Sequence, residues 1–262
     1  EEHSGNLYYW DNVNALREAI TGAGFDLRII VPKDFEGPFE IRSASGALLE
    51  LWSAKRAGDG ICLGDGFKPD LIISNNDFSE SYDAWAKGLN TPINPPREMG
   101  WYRRKKSLHF EHYNALAKSF SETLGIDPWI LEVKTEVFGN FDLSSDESVS
   151  ALAERVDIMI QQIHKDYEKR KLNSPPFVFV KNNSGTYGMG VTAVSSGEEV
   201  LHWNSKARKQ MKVGKNRKEI NEVIIQEGVR SCITTDIGTA EPTVYLVGCD
   251  LAGGFLRTHK DK

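Results

Sequence analysis

The chain has 262 residues, of which 40% are hydrophobic and 26% are charged, and its formal net charge at neutral pH is −5. This length is enough to bury a full hydrophobic core, and two compact domains are the expected number. The acidic balance argues against nucleic acid or a membrane surface as a partner.

Cysteine usage points to a reducing compartment. Cys62, Cys232 and Cys249 lie far apart without metal-ligand spacing, which fits free thiols better than a disulfide framework. The sequence shows no signal peptide and no apolar run of about 18 residues, so we expect a cytoplasmic protein. Because it opens on Glu1 rather than Met and stops at Lys262, just after a strand-like run, we also expect it to be part of a longer protein.

The first hundred residues alternate between helix and strand patterns. Residues 11–22 place apolar side chains on one helical stripe and end in glycine, as an amphipathic helix does. Strand patterns follow at 25–31, 49–52 and 71–73. This order predicts a small α/β domain over residues 1–100, with a parallel or mixed sheet.

Ser74, Asn75 and Asn76 follow the last of these strands directly. In open α/β sheets the carboxyl ends of strands face the ligand crevice, so these side chains are candidates for binding an amino-acid substrate. An ordinary polar turn is the alternative explanation.

Residues 101–262 are predicted to form a second domain, after a proline-rich link at 91–96. A helix is expected from about 107 to 124 and a strand from 128 to 136. Ser144 and Glu147 have capping-box spacing and predict the start of a long amphipathic helix. The remaining strands are expected at 177–181, 189–195, 222–228, 243–248 and 252–258.

A basic cluster at residues 103–106 precedes the first of these helices. In an acidic chain with few interleaved aromatic residues, such a cluster indicates a solvated helix start or an anion contact rather than nucleic-acid binding. Arg104 and Lys106 are therefore candidates for contacting an anionic substrate.

The most informative segment is a strand pattern ending in Lys181, a glycine-rich loop and a second strand pattern. Gly185, Gly188 and Gly190 have the spacing GxxGxG and precede a strand, whereas the dinucleotide fingerprint opens a helix. A Walker loop places its lysine after the glycines, and no protein-kinase motif follows here. The segment therefore predicts either a structural hairpin or a lid over a triphosphate, with Lys181, Ser184 and the loop amides contacting phosphate.

Two features further along the chain favour the nucleotide site. Residues 222–229 form an apolar strand that turns polar at Gln226 and Glu227, where side chains or backbone are placed to read an adenine edge. A β-hairpin is predicted over 243–257, and its second strand carries Arg257. The positive charge of an arginine there could stabilise a transferring phosphoryl group. A plain buried strand and a solvated arginine are the respective alternatives.

Together these residues resemble the ATP-grasp ligases. More narrowly, residues 180–191 (VKNNSGTYGMGV), 104–110 (RKKSLHF) and 223–229 (VIIQEGV) are similar to the proteobacterial ATP-grasp type of glutamate–cysteine ligase. The resemblance extends over most of the chain and is strongest from about residue 100 onward. It implies an α/β (α+β) protein in which an ATP-grasp region, residues 101–262, follows a small α/β substrate domain.

The resemblance implies ATP-dependent amide formation, the first step of glutathione synthesis. The γ-carboxylate of glutamate would take the γ-phosphoryl group of ATP to become an acyl phosphate, and the amine of cysteine would displace phosphate. Lys181 then carries over as a phosphate ligand and Arg257 as the acyl-phosphate stabiliser, both catalytic. The lid would be residues 185–190 and the adenine hinge 226–229, ending at Val229. Lys134 is the candidate for a second phosphate lysine, with an outward-pointing strand lysine as the alternative.

Two departures from the family pattern bear on these expectations. The magnesium ligands of ATP-grasp sites, a Glu with an Asn or Asp, lie beyond the arginine hairpin, and the five residues after Arg257 do not supply them. Asp236 is the stand-in for the acid that contacts the ribose hydroxyls. Apart from ATP and magnesium, the expected partners are glutamate and cysteine. The alternatives are another ATP-grasp ligase, such as a glutathione synthetase-like enzyme, and a nucleotide-binding module without catalysis.

Overall fold

The computed structural model describes residues 5–31, 33–78, 80–184, 190–212 and 220–259. It is a mixed α/β structure, which confirms the predicted class. The chain divides into two compact units, residues 1–104 and residues 105–262. None of the helices in the described residues is long and apolar enough to cross a membrane.

The first unit is built on a mixed three-stranded sheet in the order β1-β3-β2. It contains α1 (Leu7–Gly22), β1 (Ile29–Val31), β2 (Phe39–Arg42) and β3 (Leu48–Ser53). β3 pairs parallel with β1 and antiparallel with β2. Apolar side chains of α1 and β3 form the core here, namely Trp10, Val13, Leu49 and Leu51.

Short elements complete the first unit and enclose a second, smaller core. They are β4 (Arg56–Ala57), β5 (Gly60–Ile61), β6 (Ile72–Ile73), α2 (Asp83–Ala86), β7 (Ile93–Asn94) and a 3-10 helix at Arg97–Met99. The buried residues of this core are Ala54, Ile61, Leu63 and Ile72.

Two sequence-predicted boundaries in this unit are wrong. α1 starts at Leu7 rather than at residue 11, because the side chain of Asn6 caps it by accepting a hydrogen bond from the amide of Tyr8. The strand predicted at 25–31 is regular only from Ile29.

The second unit carries the longest helices and the largest sheet. Its elements are α3 (Lys106–Leu124), a 3-10 helix at Pro128–Ile130, β8 (Thr135–Gly139), α4 (Asp146–Lys169), β9 (Val178–Asn182), β10 (Val191–Val194), α5 (Gly197–Leu201), α6 (Ser205–Lys212), β11 (Glu222–Glu227), β12 (Ile233–Thr235), β13 (Gly238–Val247) and β14 (Asp250–His259).

An antiparallel four-stranded sheet in the order β10-β9-β11-β8 organises this unit. Because side chains alternate along each strand, residues paired across the sheet share a face. One face is covered by α4, whose apolar stripe packs against the even-numbered positions of β9 and the odd-numbered positions of β11. The buried residues of this core include Val149, Leu152, Val156, Met159, Ile163, Val178, Val180, Val223 and Ile225.

Two local predictions in this unit are corrected by the structure. Residues 128–136 are not one strand, because the side chain of Asp127 accepts a hydrogen bond from Trp129 N and Pro128 starts a 3-10 turn. The cap of α4 is Ser145 rather than Ser144, since its side chain accepts from the amide of Ser148. Both positions are serine, a residue that caps helices well, so the sequence alone does not distinguish between them.

The last sheet is a three-stranded meander in the order β12-β13-β14. The predicted hairpin is confirmed and is longer than expected, since β13 and β14 each have ten residues. Arg257 lies on β14, opposite Glu241 on β13.

Candidate functional site

The face of the four-stranded sheet opposite α4 brings polar and aromatic side chains together. One row across the strands consists of Phe179, Gln226 and Thr135, and the next row contains Lys181 and Ile224. Lys181 is therefore placed on this face by its position in β9, one step before the strand ends at Asn182.

Lys181 is a half-buried cation on this face. Its Nζ donates a hydrogen bond to Gln226 Oε1 at 2.6 Å and lies 4.8 Å from the centre of the Phe179 ring. Burial lowers the pKa of the Lys181 ammonium from its usual range, and burial is the only cause of the shift. Within the described residues no carboxylate pairs with it. A half-buried ammonium without a counter-ion is a site for an anion.

Gln226 belongs to a short chain of hydrogen bonds. It is 3% exposed, and its Nε2 donates to Thr135 Oγ1 at 2.9 Å. Thr135 Oγ1 in turn donates to the carbonyl oxygen of Val133 at 3.3 Å. Asn114 of α3 donates to the same carbonyl at 2.9 Å and accepts from Val133 N at 3.0 Å. Helix α3 thus stabilises the start of the strand that holds Thr135.

Hydrogen bonds and close packing hold the two ends of the glycine-rich loop. Asn182 Oδ1 accepts from the amide of Ser184 at 3.0 Å, and Asn182 N donates to the carbonyl of Gly190 at 2.6 Å. Gly190 has φ +64°, and a Cβ there would lie 2.9 Å from the Cβ of Asn182. Glycine is therefore required at the exit both by backbone conformation and by space. Gly185 and Gly188 lie outside the described residues.

Asn183 ties this loop to the amino end of α3. Its side chain is 1% exposed and accepts from Ser107 N at 2.9 Å, while its Nδ2 donates to Ser107 Oγ and to Glu222 Oε1. Its carbonyl accepts from Lys106 N at 2.9 Å. Since Lys105 makes no side-chain cap, Asn183 supplies the hydrogen bonds that the helix start needs.

The basic cluster is divided between the two units. Arg104 is the last residue of the first unit, whereas Lys181 belongs to the second. Lys106 Nζ donates to the carbonyl of Asn182 at 2.5 Å, and Lys105 forms an ion pair with Glu222 at 2.8 Å. These contacts place Lys106 at the loop entrance, where its ammonium is used at least partly for structure.

The predicted hinge residues separate onto opposite faces of the sheet. Gln226 faces Lys181, whereas Glu227 faces the side of α4 and its Oε2 accepts from Lys134 N at 3.4 Å. Burial raises the pKa of the Glu227 carboxyl, although Lys134 and its amide act in the opposite direction. At Gly228 a Cβ would lie 2.3 Å from the Phe177 ring, so the hinge needs glycine there. Val229 follows and is exposed.

Lys134 is not brought together with Lys181. It immediately precedes β8, and its Nζ forms an ion pair with Asp166 of α4 at 2.9 Å. Asp166 also lies 3.6 Å from Arg170. Lys134 thus joins a charged cluster at the end of α4, on the face that the helix covers.

The other predicted residues lie apart from the Lys181 face. Arg257 forms a salt bridge with Glu241 at 2.7 Å and 59% of its side chain is exposed. Asp236 lies in the exposed turn between β12 and β13. Ser74, Asn75 and Asn76 lie in an irregular segment after β6 in the first unit, where Asn76 Oδ1 accepts from Phe78 N at 2.8 Å. Among the described residues there is no group of three or more His, Cys, Asp or Glu side chains placed to hold a metal ion.

Sequence reasoning missed the residues that build the site around Lys181. Phe179 shares a face with Lys181 through the alternation of side chains along one strand, which is detectable in the sequence. Thr135 joins them only once the strand register is known. Asn182 and Asn183 lie next to the glycine-rich loop and could have been predicted as structural residues. Asparagine is common where a side chain accepts hydrogen bonds from loop and helix amides.

The fold and the site define a mixed α/β protein with a buried cationic site next to a glycine-rich loop. The family model described as GshA, glutamate-cysteine ligase, matches residues 1–262. The chain therefore belongs to the glutamate–cysteine ligase family, which confirms the resemblance found in the sequence.

A solved structure supports the same assignment. The chain is similar, with a TM-score of 0.86 and 33% sequence identity, to a crystal structure from Methylobacillus flagellatus KT of a protein designated a gamma-glutamylcysteine synthetase. The match covers 100% of this chain and 62% of that protein, so this chain spans less than two thirds of its relative's length. Among curated proteins none matches the sequence significantly.

Proposed function

We propose that the chain is the part of an ATP-dependent glutamate–cysteine ligase that binds ATP, and that residues 105–262 belong to an ATP-grasp fold. The observation that carries the proposal is Lys181, a half-buried ammonium on a sheet face whose one polar partner among the described residues is a neutral amide. A phosphate group would supply the missing negative charge. The family to which the chain belongs supports ATP as the source of that phosphate.

The reaction would join the γ-carboxylate of glutamate to the amine of cysteine, with ATP converted to ADP and phosphate. The carboxylate takes the phosphoryl group, and the amine then displaces phosphate and loses a proton. Binding and orientation would account for most of the catalysis, because phosphoryl transfer depends chiefly on positioning and charge neutralisation. Lys181 would hold phosphate oxygens, and the amides near Ser184 would add hydrogen bonds.

Phe179 offers an aromatic surface in the row next to Lys181, which suits contact with a base. Arg257 is exposed and paired with Glu241, so a role in stabilising the acyl phosphate requires that it exchange this partner for substrate. Roles for Val229, Asp236 and Lys134 in nucleotide binding stay predictions. The same holds for magnesium, since no acidic cluster is present in the described part of the chain.

We assign the first unit, residues 1–104, to amino-acid binding, with Ser74, Asn75, Asn76 and Arg104 as the candidate contacts. A cytoplasmic location stays a prediction and is consistent with the three free cysteines, Cys62, Cys232 and Cys249.

The binding part of the proposal is tested by calorimetry with ATP and AMP. We expect Lys181→Met to weaken ATP binding about tenfold or more, because a charge-assisted contact with phosphate is lost. AMP binding should change much less if Lys181 contacts the outer phosphates. Lys118→Met, an exposed lysine of α3, is the matched control. Unchanged ATP affinity in Lys181→Met would remove the basis of the proposal.

A further inference from the structure

The side-chain amide of Gln226 has a fixed orientation. Lys181 has an ammonium that only donates, so the atom facing it at 2.6 Å must be the oxygen. The opposite orientation would place the Gln226 NH2 group against the Lys181 ammonium and would leave two donors facing each other. The remaining end of the amide, Nε2, then donates to Thr135 Oγ1.

Thr135 completes this arrangement because its hydroxyl proton is already donated to a backbone carbonyl. Thr135 Oγ1 donates to the carbonyl of Val133, and this carbonyl is itself held by Asn114 of α3. Thr135 can therefore act only as an acceptor toward Gln226. Each member of the chain, from the backbone of Val133 to Lys181, determines the orientation of the next.

We propose that Gln226 is a positioning residue for Lys181, held in its orientation by Thr135, and that its side chain does not read the adenine base. Each end of the Gln226 amide already has a partner within the sheet. Because the residue is only 3% exposed, its remaining N–H and lone pair are not open to a base. Its oxygen fixes the ammonium beside the entrance of the glycine loop, where an anion is to be received. The proposal rests on the proposed function only in taking that anion to be a nucleotide phosphate.

The charges around Lys181 are few in the described residues. On β11, Glu222 lies at the far end of the strand and is ion-paired with Lys105 at 2.8 Å. At the start of α3, Lys106 Nζ donates to the carbonyl of Asn182. On β8, Glu136 pairs with Arg155 of α4, and β10 has no charged residue. Among the described residues, burial is therefore the main influence on the ionisation of Lys181, and Gln226 is the main influence on its orientation.

The test measures ionisation of Lys181 directly, in full-length protein labelled with [ε-13C]lysine and without nucleotide. Its signal is assigned by its disappearance in Lys181→Arg. Gln226→Met removes the acceptor at similar size, so we expect the pKa of Lys181 to fall further, by about one unit. Gln226→Glu adds a negative charge and should raise it. Thr135→Ser keeps the hydroxyl and is the control that should leave the pKa unchanged.

The second readout is binding of a non-hydrolysable ATP analogue as a function of pH. In Gln226→Met we expect about tenfold weaker binding, with a loss that grows as pH rises, because the ammonium loses its proton at lower pH than in the parent protein. An unaltered Lys181 pKa in both Gln226 variants, or a loss of affinity that is the same at every pH, would overturn the proposal.

The two readouts separate this proposal from the proposed function. If the parent protein binds no ATP analogue while the Gln226 variants shift the Lys181 pKa in opposite directions, Gln226 positions Lys181 but the nucleotide assignment fails. If Gln226→Met does not fold, as judged by circular dichroism, Gln226→Glu still decides the outcome, since its carboxylate raises the Lys181 pKa clearly only if it lies within about 4–6 Å of the ammonium.

Discussion

Asn183 shows how a residue next to the loop acquires a structural role. Its side chain is buried and bonded to the backbone of α3, to Ser107 and to Glu222. Lys181, two residues earlier, is half-buried, and in the part of the chain that the structure describes its single hydrogen-bonding partner is Gln226. The contrast separates the two roles, because a satisfied buried amide stabilises the fold, whereas an uncompensated buried cation is available to a ligand.

Replacing Asn183 should therefore destabilise the second unit. In Asn183→Ala the amide of Ser107 loses its cap and Glu222 loses a donor, and we expect the free energy of unfolding to fall by about 2–3 kcal/mol. The measurement is urea unfolding followed by circular dichroism. Asn173→Ala, at an exposed asparagine of the same unit, should change stability by less than about 0.5 kcal/mol. Equal effects of the two substitutions would contradict this role of Asn183.

At the scale of elements, the order strand, loop, strand around Lys181 could be predicted from the sequence. β9, β10 and β11 are short runs rich in β-branched residues, and all three were expected within a few residues of their observed bounds. The order of the strands in the sheet could not be predicted, because it depends on long-range pairing between β9 and β11. The sequence analysis groups Glu227 with Gln226, although consecutive residues of a strand point to opposite faces.

Errors in the predicted elements have local causes. The apolar residues at 129–133 suggested a strand, but Asp127 and Pro128 start a 3-10 turn that delays β8 until Thr135. As a result Lys134 precedes the strand and pairs with Asp166. Propensity alone does not detect such turns, because a side-chain cap at a single residue decides them.

The exit of the glycine loop provides a prediction about the hairpin formed by β9 and β10. In Gly190→Ala the new Cβ would lie against Asn182, and the alanine would have to adopt the left-handed backbone conformation of Gly190. We therefore expect the free energy of unfolding to fall by about 2 kcal/mol and ATP binding to weaken. Gly139→Ala is the control, since a Cβ there has open space and φ is not positive. Thermal unfolding and calorimetry of both variants provide the comparison. An affinity for ATP that is retained in Gly190→Ala would show that the loop exit need not be rigid.

At the scale of the whole molecule, the chain consists of two units, and the elements of the proposed nucleotide site all come from the second. From the chain length, the order of the elements and the family resemblance, the sequence predicts two domains, residues 1–100 and 101–262. The family is now shown by a match over residues 1–262. The chain nevertheless spans 62% of the length of the similar solved protein. The proposed activity should therefore be measured on full-length protein.

We propose above all that Lys181 serves ATP-dependent joining of glutamate to cysteine. The most direct measurement follows phosphate release and γ-glutamylcysteine formation by full-length protein with ATP, magnesium, glutamate and cysteine. We predict that the two products appear in equal amounts, that both require cysteine, and that Lys181→Met lowers the rate roughly a hundredfold or more while Lys118→Met does not. Phosphate release that cysteine does not accelerate, or a Lys181→Met protein as active as its parent, would contradict the account.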